Sequence, residues 1–161
     1  MVSWDGRERV RLTSTPFSEH TPRWSPDGRR LAFLSDRADE DKGAQIWVMD
    51  REGGEAAQRS RFDGAISAYD WSPDGTRIVF AAEKNPPPVD EERPEPIVID
   101  RLQFRLDDVG FLGKERTHLF VLDVASGAVQ PLTDGPYDEI QPAWSPDGKQ
   151  IAFLSKRGKD P

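Results

Sequence analysis

Short runs of apolar residues alternate along this chain with turns that are rich in proline, aspartate and glycine. Residues 31–34, 78–81 and 151–154 are apolar at successive positions. Such runs predict strands that are buried on both faces between neighbouring sheets. Residues 45–50 and 118–123 have a similar pattern and predict the strands that follow the first two runs. The pattern favours many short strands over long helices.

The apolar runs belong to a repeated unit. Residues 22–37, 69–84 and 142–157 align without gaps, and each segment contains the sequence Trp-Ser-Pro-Asp-Gly. The tryptophans of the three repeats, Trp24, Trp71 and Trp144, are 47 and then 73 residues apart. A period of about 40–50 residues is typical of a four-stranded propeller blade, and the longer interval indicates an insertion.

Each Ser-Pro-Asp-Gly sequence predicts a tight turn between two antiparallel strands. Proline fixes φ for the first central position, aspartate accepts local backbone N–H bonds, and glycine permits positive φ. Because the aspartates recur in every turn, we interpret them as structural and not as a catalytic set. They are Asp27, Asp74 and Asp147. The tryptophans likewise predict packing anchors, not an aromatic binding cage.

The repeats predict an all-β fold, a partial β-propeller of four-stranded antiparallel blades, with two full blades and a part-blade at each end. Residues 1–14 are expected to end one blade, with residues 10–13 as its fourth strand. Full blades are expected at residues 15–63 and 64–135, and residues 136–161 form the first half of the next blade. A propeller fragment of this kind exposes blade edges, so we expect self-association or completion by a longer parent chain.

The second full blade carries an insertion at about residues 83–116. Residues 85–96 are charged and rich in proline, which predicts an extended segment of polyproline character. Residues 97–116 alternate apolar and charged positions, which suits an irregular hairpin or a long loop. Binding residues concentrate on long loops, so this insertion is the place where function is most readily expected.

Composition narrows the class of protein. The 161 residues include no cysteine, which excludes disulfides, thiolate chemistry and Cys-type zinc sites. The net charge of −7 argues against nucleic-acid and anionic-membrane partners. No apolar run approaches the length of a membrane helix, and no signal peptide is apparent. These features predict a cytoplasmic protein.

The sequence contains no recognisable set of catalytic residues. No serine lies in the Gly-x-Ser-x-Gly context of a nucleophile elbow. The two histidines, His20 and His118, are expected just before a first strand and at the start of a third strand, in structural roles. The acidic residues 36–43 lack the ordered oxygen ligands of a calcium loop and predict a solvated connection. We therefore expect no metal, no cofactor and no catalytic residue.

The repeats resemble the propellers of the TolB type, and residues 101–148 narrow the resemblance. These residues contain, in order, Arg-Leu-Gln-Phe-Arg-Leu-Asp, Gly-Phe-Leu, Thr-His-Leu-Phe-Val-Leu-Asp-Val-Ala-Ser-Gly, Leu-Thr-Asp-Gly-Pro-Tyr-Asp and Pro-Ala-Trp-Ser-Pro-Asp-Gly. This order is similar to the acylaminoacyl-peptidase branch of the prolyl oligopeptidase family. Residues 107–110 depart from the shorter Asp-Gly turn that relatives often show.

This resemblance implies an N-terminal propeller that caps a C-terminal α/β-hydrolase domain with a Ser-Asp-His triad. The propeller would admit only short or N-acylated peptides, and this chain alone would not catalyse. Arg101, Phe104, Arg105 and Phe111 are the candidate substrate-gating residues, although they could simply pack the insertion onto its own blade. The alternative is a non-enzymatic TolB-like propeller that acts as a scaffold for protein partners.

Overall fold

The computed structural model describes residues 1–38, 43–84, 105–106, 110–111 and 115–157. Within these ranges the regular secondary structure consists of short strands. The strands are Glu19–Trp24 (β1), Arg30–Ser35 (β2), Gln45–Asp50 (β3), Ala57–Gln58 (β4), Ile66–Trp71 (β5), Arg77–Glu83 (β6), Arg105–Leu106 (β7), Gly110–Phe111 (β8), Thr117–Asp123 (β9), Val129–Pro131 (β10), Glu139–Trp144 (β11) and Ile151–Ser155 (β12). No helix in the described residues is long and apolar enough to span a membrane.

Two four-stranded antiparallel sheets and one strand pair follow each other along the chain. The first sheet has the order β1-β2-β3-β4, the second has the order β5-β6-β9-β10, and β11 pairs with β12. The insertion lies between β6 and β9, where its described part contains the small hairpin β7–β8. The predicted all-β, propeller-type architecture of four-stranded blades is confirmed, whereas the boundaries proposed for each blade stay a prediction.

Two local expectations for the N-terminal region were wrong. Residues 10–13 do not form a strand, because no described strand lies beside them, and Val2 and Arg9 form only an isolated bridge. Leu12 instead packs against the cluster of Leu31, Phe33 and Met49. His20 lies inside β1 and not before it.

The core forms where the first sheet packs against the second, a contact that we call the first seam. Ala32, Leu34, Ile46 and Val48 from the first sheet belong to the same buried cluster as Ile78, Phe80, Phe120 and Leu122 from the second sheet. Phe62, from the connection between the sheets, lies 5.5 Å from the Phe80 ring and 4.6 Å from the Phe120 ring. Full burial of each large apolar side chain stabilises the fold by about 1.5–3 kcal/mol.

The three Ser-Pro-Asp-Gly turns have the same geometry, as predicted. In each, the serine hydroxyl donates to the aspartate at 2.6 Å and the glycine N–H donates to the serine carbonyl. The glycines Gly28, Gly75 and Gly148 have φ values of 67°, 68° and 69°. A side chain is disfavoured in this left-handed region, which explains why glycine ends every turn.

Arginine and tryptophan side chains link each sheet to the next. Arg30 lies over the Trp71 ring at 5.4 Å and donates to the Gly75 carbonyl at 3.0 Å. Arg77 occupies the equivalent position in the second sheet and lies 5.9 Å from the Trp144 ring. A guanidinium over an indole face is attracted by the ring quadrupole, so these contacts add to the apolar packing between sheets.

The second Ser-Pro-Asp-Gly turn, residues 72–75, allows a test of how side-chain hydroxyl groups change the pKa of its aspartate. Hydrogen bonds from the Ser72 hydroxyl, the Thr76 N–H and the Thr76 hydroxyl lower the pKa of Asp74 to about 2. The ionised carboxylate therefore stabilises the fold above its unfolded pKa, and this contribution is lost as the pH falls through about 2. We predict that Thr76→Ala raises the pKa of Asp74, because one donor is removed, while Thr76→Ser leaves it unchanged. Carboxyl-carbon NMR titration measures both values, and an equal pKa in the two variants would contradict the assignment.

Candidate functional site

The two described ends of the insertion meet at a small cavity. Lys84, at the end of β6, and Glu115 and Arg116, before β9, line a space of about 240 Å³ together with His118, Phe120 and Gly135. The cavity therefore lies where the inserted segment leaves and re-enters the second sheet.

An ionic cluster centred on the buried carboxylate of Glu139 lies beside this cavity. The Glu139 side chain is 1% exposed, and its Oε1 atom accepts a hydrogen bond from Arg157 Nη2 at 2.8 Å. Its Oε2 atom lies 3.2 Å from His118 Nδ1. The Thr133 side chain lies near this carboxylate and lowers its pKa. We call His118, Thr133, Glu139 and Arg157 the seam cluster, because they join the second sheet to the β11–β12 pair, a contact that we call the second seam.

Glu139 is held in its ionised form. Burial acts to raise the pKa of this carboxyl, but hydrogen bonds from Thr133 and His118 and the charges of His118 and Arg157 outweigh it and lower the pKa. Since the folded pKa is lowered, the cluster stabilises the fold above the unfolded pKa of the carboxyl. That contribution is lost as the pH falls through the lowered value.

Further hydrogen bonds tie the start of β9 to the connection between β10 and β11. The Leu119 N–H donates to the Thr133 hydroxyl at 2.9 Å, and the Thr117 N–H donates to Asp138 at 2.9 Å. Arg116 Nε donates to the Pro136 carbonyl at 3.0 Å. The C-terminal end of the insertion is thereby anchored at four successive residues, Arg116 to Leu119.

In the first seam, neutral side chains occupy the positions of His118 and Glu139. Gln45 occupies the position of His118, and its amide accepts from the Ser60 hydroxyl and the Phe62 N–H. The same amide donates to the carbonyls of Phe62 and Gly64. Ile66, 2% exposed, stands where Glu139 stands in the second seam. The two seams therefore share a backbone arrangement but differ in the polar groups that fill it.

The geometry of the cluster supports a positioning role for the start of β9. A histidine beside a buried carboxylate resembles the base and orienting acid of a catalytic triad, but the chain has no nucleophile elbow to complete one. Among the described residues no group of three or more acidic, histidine or cysteine side chains could hold a metal ion. His20 contacts the neighbouring Thr21 hydroxyl at 3.0 Å.

The gating residues predicted from the sequence are only partly covered by the structure. Arg101 and Phe104 lie outside the described residues. The backbones of Arg105 and Phe111 pair across the β7–β8 hairpin. Their predicted contact with peptide stays a prediction. Residues 39–42 of the acidic connection also lie outside the described residues.

The seam cluster was not predicted from the sequence, because Glu139 lies just before the third repeat and His118 lies in a different sheet. When the first and third repeats are aligned over a longer range, Glu19 aligns with Glu139 and Arg37 aligns with Arg157. The residues of each aligned pair are 120 positions apart in the sequence. Arg37 donates to Glu19 as Arg157 does to Glu139. The repeated spacing of glutamate and arginine was a signal for this pair, but not for His118 or Thr133.

Comparison with known proteins identifies peptidases as relatives. No protein-family model matches the chain. The chain is 36% identical to the uncharacterized peptidase YuxL of Bacillus subtilis, over 82% of this chain and 21% of that protein. It is 30% identical to dipeptidyl-peptidase 5 of Porphyromonas endodontalis, over 97% of this chain and 24% of that protein. The chain thus spans between a fifth and a quarter of the length of these relatives.

Solved structures agree with this relationship. An acylaminoacyl peptidase in complex with Z-Gly-Gly-Phe-chloromethyl ketone has a TM-score of 0.62 at 27% identity, over 83% of this chain and 20% of that one. The Pyrococcus horikoshii acylaminoacyl peptidase has a TM-score of 0.58 at 26% identity, over 76% and 19%. TolB from Agrobacterium tumefaciens shares the fold, with a TM-score of 0.60 at 21% identity, over 95% and 49%. The chain therefore resembles the propeller portion of acylaminoacyl-peptidase-like proteins, as predicted.

The role of the seam cluster can be tested by replacing His118 and Glu139 with the residue types that stand at the same positions in the first seam. We predict that Glu139→Gln lowers the free energy of unfolding by about 1–3 kcal/mol at neutral pH, because buried charge-assisted bonds are lost. The double variant His118→Gln with Glu139→Ile should lie within about 1 kcal/mol of the parent, since no buried charge is left unpaired. Urea unfolding measures both values.

Glu19→Gln is the matched control for this experiment. The Glu19 side chain is 17% exposed where Glu139 is 1% exposed, so its loss is expected to cost less. The double variant should also lose the acid-dependent part of stability that the ionised Glu139 contributes. A double variant less stable than Glu139→Gln would show that the two seams are not interchangeable.

Proposed function

We propose that this chain is the substrate-filtering propeller segment of a cytoplasmic serine peptidase of the prolyl oligopeptidase family, of the acylaminoacyl-peptidase type. In this proposal the propeller caps a C-terminal α/β-hydrolase domain and restricts access to short or N-acylated peptides. The chain itself contributes no catalytic residue and needs no cofactor.

The observation that carries the proposal is the match to an acylaminoacyl peptidase at 27% identity with a TM-score of 0.62. The 36% identity to a peptidase over 82% of the chain supports it independently of any structure. The match to TolB supports the fold but not a scaffolding function, because its identity is lower. A peptidase propeller therefore accounts for more of the observations than a binding scaffold does.

The described architecture suits a rigid filter. Strands β2 and β6 are almost wholly buried, so the two full blades cannot deform without opening an apolar core. The seam cluster anchors the C-terminal end of the insertion at the second seam. Arg101, Phe104, Arg105 and Phe111 are proposed to contact peptide from this insertion, with arginines available for carboxylates and phenylalanines for apolar side chains.

The test begins with the complete gene that encodes this chain. We expect its product to contain Gly-x-Ser-x-Gly with a later aspartate and histidine, and to release the acylated residue from N-acetylated dipeptides. Cleavage of an unfolded protein should be at least about tenfold slower than cleavage of a short peptide with the same cut site, a difference of about 1.4 kcal/mol in activation free energy. Replacement of the elbow serine by alanine is the control for contaminating peptidases.

Two outcomes would overturn this proposal. A gene product without a nucleophile elbow would favour the non-enzymatic TolB-like scaffold. A peptidase that cleaves long and short substrates equally well would keep the catalytic assignment but remove the filtering role from the propeller.

The chain of 161 residues is also proposed to self-associate through its exposed blade edges. Trp24, Ile140 and Leu154 are 43%, 42% and 57% exposed, which is unusual for large apolar side chains on structured strands. We predict that sedimentation velocity shows oligomers at high concentration and that Leu154→Glu reduces them. Arg51→Glu, on an exposed turn, is the control. A chain that remains monomeric at every concentration would contradict this prediction.

A further inference from the structure

Six Asp-Gly sequences occur along this chain, and they differ in how the fold holds them. They begin at Asp5, Asp27, Asp63, Asp74, Asp134 and Asp147. In such a sequence the glycine nitrogen can attack the aspartate carboxyl carbon, because glycine has no side chain to hinder the approach. A C–N bond closes a succinimide ring, and the carboxyl OH group leaves as water with the amide proton. Water then opens the ring to aspartate or to isoaspartate, whose backbone is one carbon longer.

Four of the six sequences lie in turns that oppose this ring closure. In each turn the glycine N–H donates to the carbonyl three residues earlier. The aspartate Oδ1 accepts from a serine hydroxyl and from the N–H two residues later. Three of these are the Ser-Pro-Asp-Gly turns, which we call the repeat turns, and the fourth is the Ser-Trp-Asp-Gly turn of Asp5. Both reacting groups are therefore already occupied in these turns.

The protonation state of the carboxyl protects the same four turns. Ring closure requires the protonated carboxyl, since an ionised carboxylate is a poor electrophile. Hydrogen bonds from serine hydroxyls and backbone N–H groups lower the pKa of all four aspartates, and that of Asp74 falls to about 2. A pKa that is lower by one reduces the protonated fraction about tenfold at a given pH.

The backbone around Asp63 and Gly64 is fixed in another way. The Gln45 amide donates to the carbonyls of Phe62 and Gly64 at 3.2 and 2.9 Å, and it accepts from the Phe62 N–H at 2.9 Å. Gly64 is also buried. Ring closure would have to move a backbone that is held on both sides of the aspartate.

Asp134 and Gly135 lack these restraints. Both residues are exposed, in the connection between β10 and β11. Among the described residues, neither the Asp134 carboxylate nor the Gly135 N–H takes part in a hydrogen bond. Apart from its chain neighbours, no described atom lies within 4 Å of the position that a Cβ atom on Gly135 would take. The reacting groups are therefore free to approach each other at this position.

The position of Asp134 connects this chemistry to the insertion. Three acceptors on the same connection anchor the start of β9, and Asp134 follows the first and precedes the other two. They are the Thr133 hydroxyl, the Pro136 carbonyl and the Asp138 carboxylate, which accept from the Leu119 N–H, Arg116 Nε and the Thr117 N–H. An additional backbone carbon at residue 134 changes the spacing of these acceptors, so they no longer match their three donors.

We propose that Asp134 is a site of isoaspartate formation in the folded chain, and that this modification releases the C-terminal end of the insertion from the second seam. The reactants are the Gly135 nitrogen, the Asp134 carboxyl group and solvent water. The modification goes beyond the proposed peptidase role, because it is a change of the backbone that needs neither substrate nor hydrolase domain.

The test is incubation of the chain at mildly acidic pH, in buffer and in concentrated urea, followed by peptide mapping with electron-transfer mass spectrometry. In buffer, isoaspartate at Asp134 should exceed that in each repeat turn at least about tenfold, the factor for a pKa difference of one. In urea the preference should fall below about threefold, because unfolding removes the turns. The comparison separates the effect of the fold from that of the local sequence.

Two variants test the two sides of the argument. Asp134→Glu should abolish the modification at this position, because closure of the larger ring is far slower, and this variant is the control for other effects of incubation. Ser145→Ala should raise isoaspartate at Asp147 at least about threefold, because the carboxylate loses its serine donor. The yields at Asp27 and Asp74 should stay unchanged, whereas general unfolding would raise all three.

Hydrogen exchange measures the release of the insertion. The modified chain is separated from the parent by ion exchange, and its Thr117 and Leu119 amides should exchange at least about tenfold faster. The Ile46 amide is the matched control. Its N–H donates to the Ser60 hydroxyl at 2.8 Å in the first seam, as the Leu119 N–H donates to the Thr133 hydroxyl in the second. Its exchange should be unchanged.

Any of three results would overturn this proposal. The first is a yield of isoaspartate at Asp134 no higher than in the repeat turns in buffer. The second is the same preference in buffer and in urea, which would assign the reactivity to local sequence. The third is unchanged protection of Thr117 and Leu119 in the modified chain. Peptidase activity enters none of these measurements, so failure here leaves the proposed function intact.

Discussion

Burial of strands on both faces is the constraint on which the rest of this structure depends. Strand β2 is buried at five of its six positions, and β6 at five of its seven. A sheet made of such strands cannot be stable with one face in water, because its apolar side chains would remain exposed. Each sheet therefore requires a neighbour, and the repeat along the chain provides one after another.

Close packing between sheets creates a second requirement, which is to satisfy the polar groups that the seams enclose. A buried polar atom without a partner costs about 1–3 kcal/mol, so hydrogen bonds to the polar groups that a seam encloses stabilise the contact. In the first seam one amide, that of Gln45, makes four of them. In the second seam the carboxylate of Glu139 performs the equivalent task with His118 and Arg157. The cost of burying that charge is offset only because each carboxylate oxygen has a strong donor.

The parts of the fold that were predicted from sequence depend on local chemistry. The turns follow from proline, aspartate and glycine at fixed positions, and β2, β3 and β6 follow from continuous apolar runs. The N-terminal strand at residues 10–13 was predicted wrongly, because a strand exists only where a partner is available to pair with it. The seam cluster joins His118 to Glu139 across two sheets, and periodicity within one strand carries no information about such contacts. The glutamate and arginine that recur at a constant separation of 120 residues indicated only the Glu139–Arg157 pair.

Differences between seams also explain how similar sheets keep their order. Repeated units of like sequence risk packing against the wrong neighbour, which is a common misfolding route for repeat proteins. If the β11–β12 pair packed against the first sheet, Glu139 would be buried beside the Gln45 amide without the histidine. If the second sheet packed against another copy of the second sheet, His118 would face Ile66. The first arrangement removes the histidine contact of Glu139 and the second removes the carboxylate contact of His118, so the penalty on wrong contacts contributes to specificity. The apolar residues of the seams, which are nearly the same in each repeat, could not provide this discrimination.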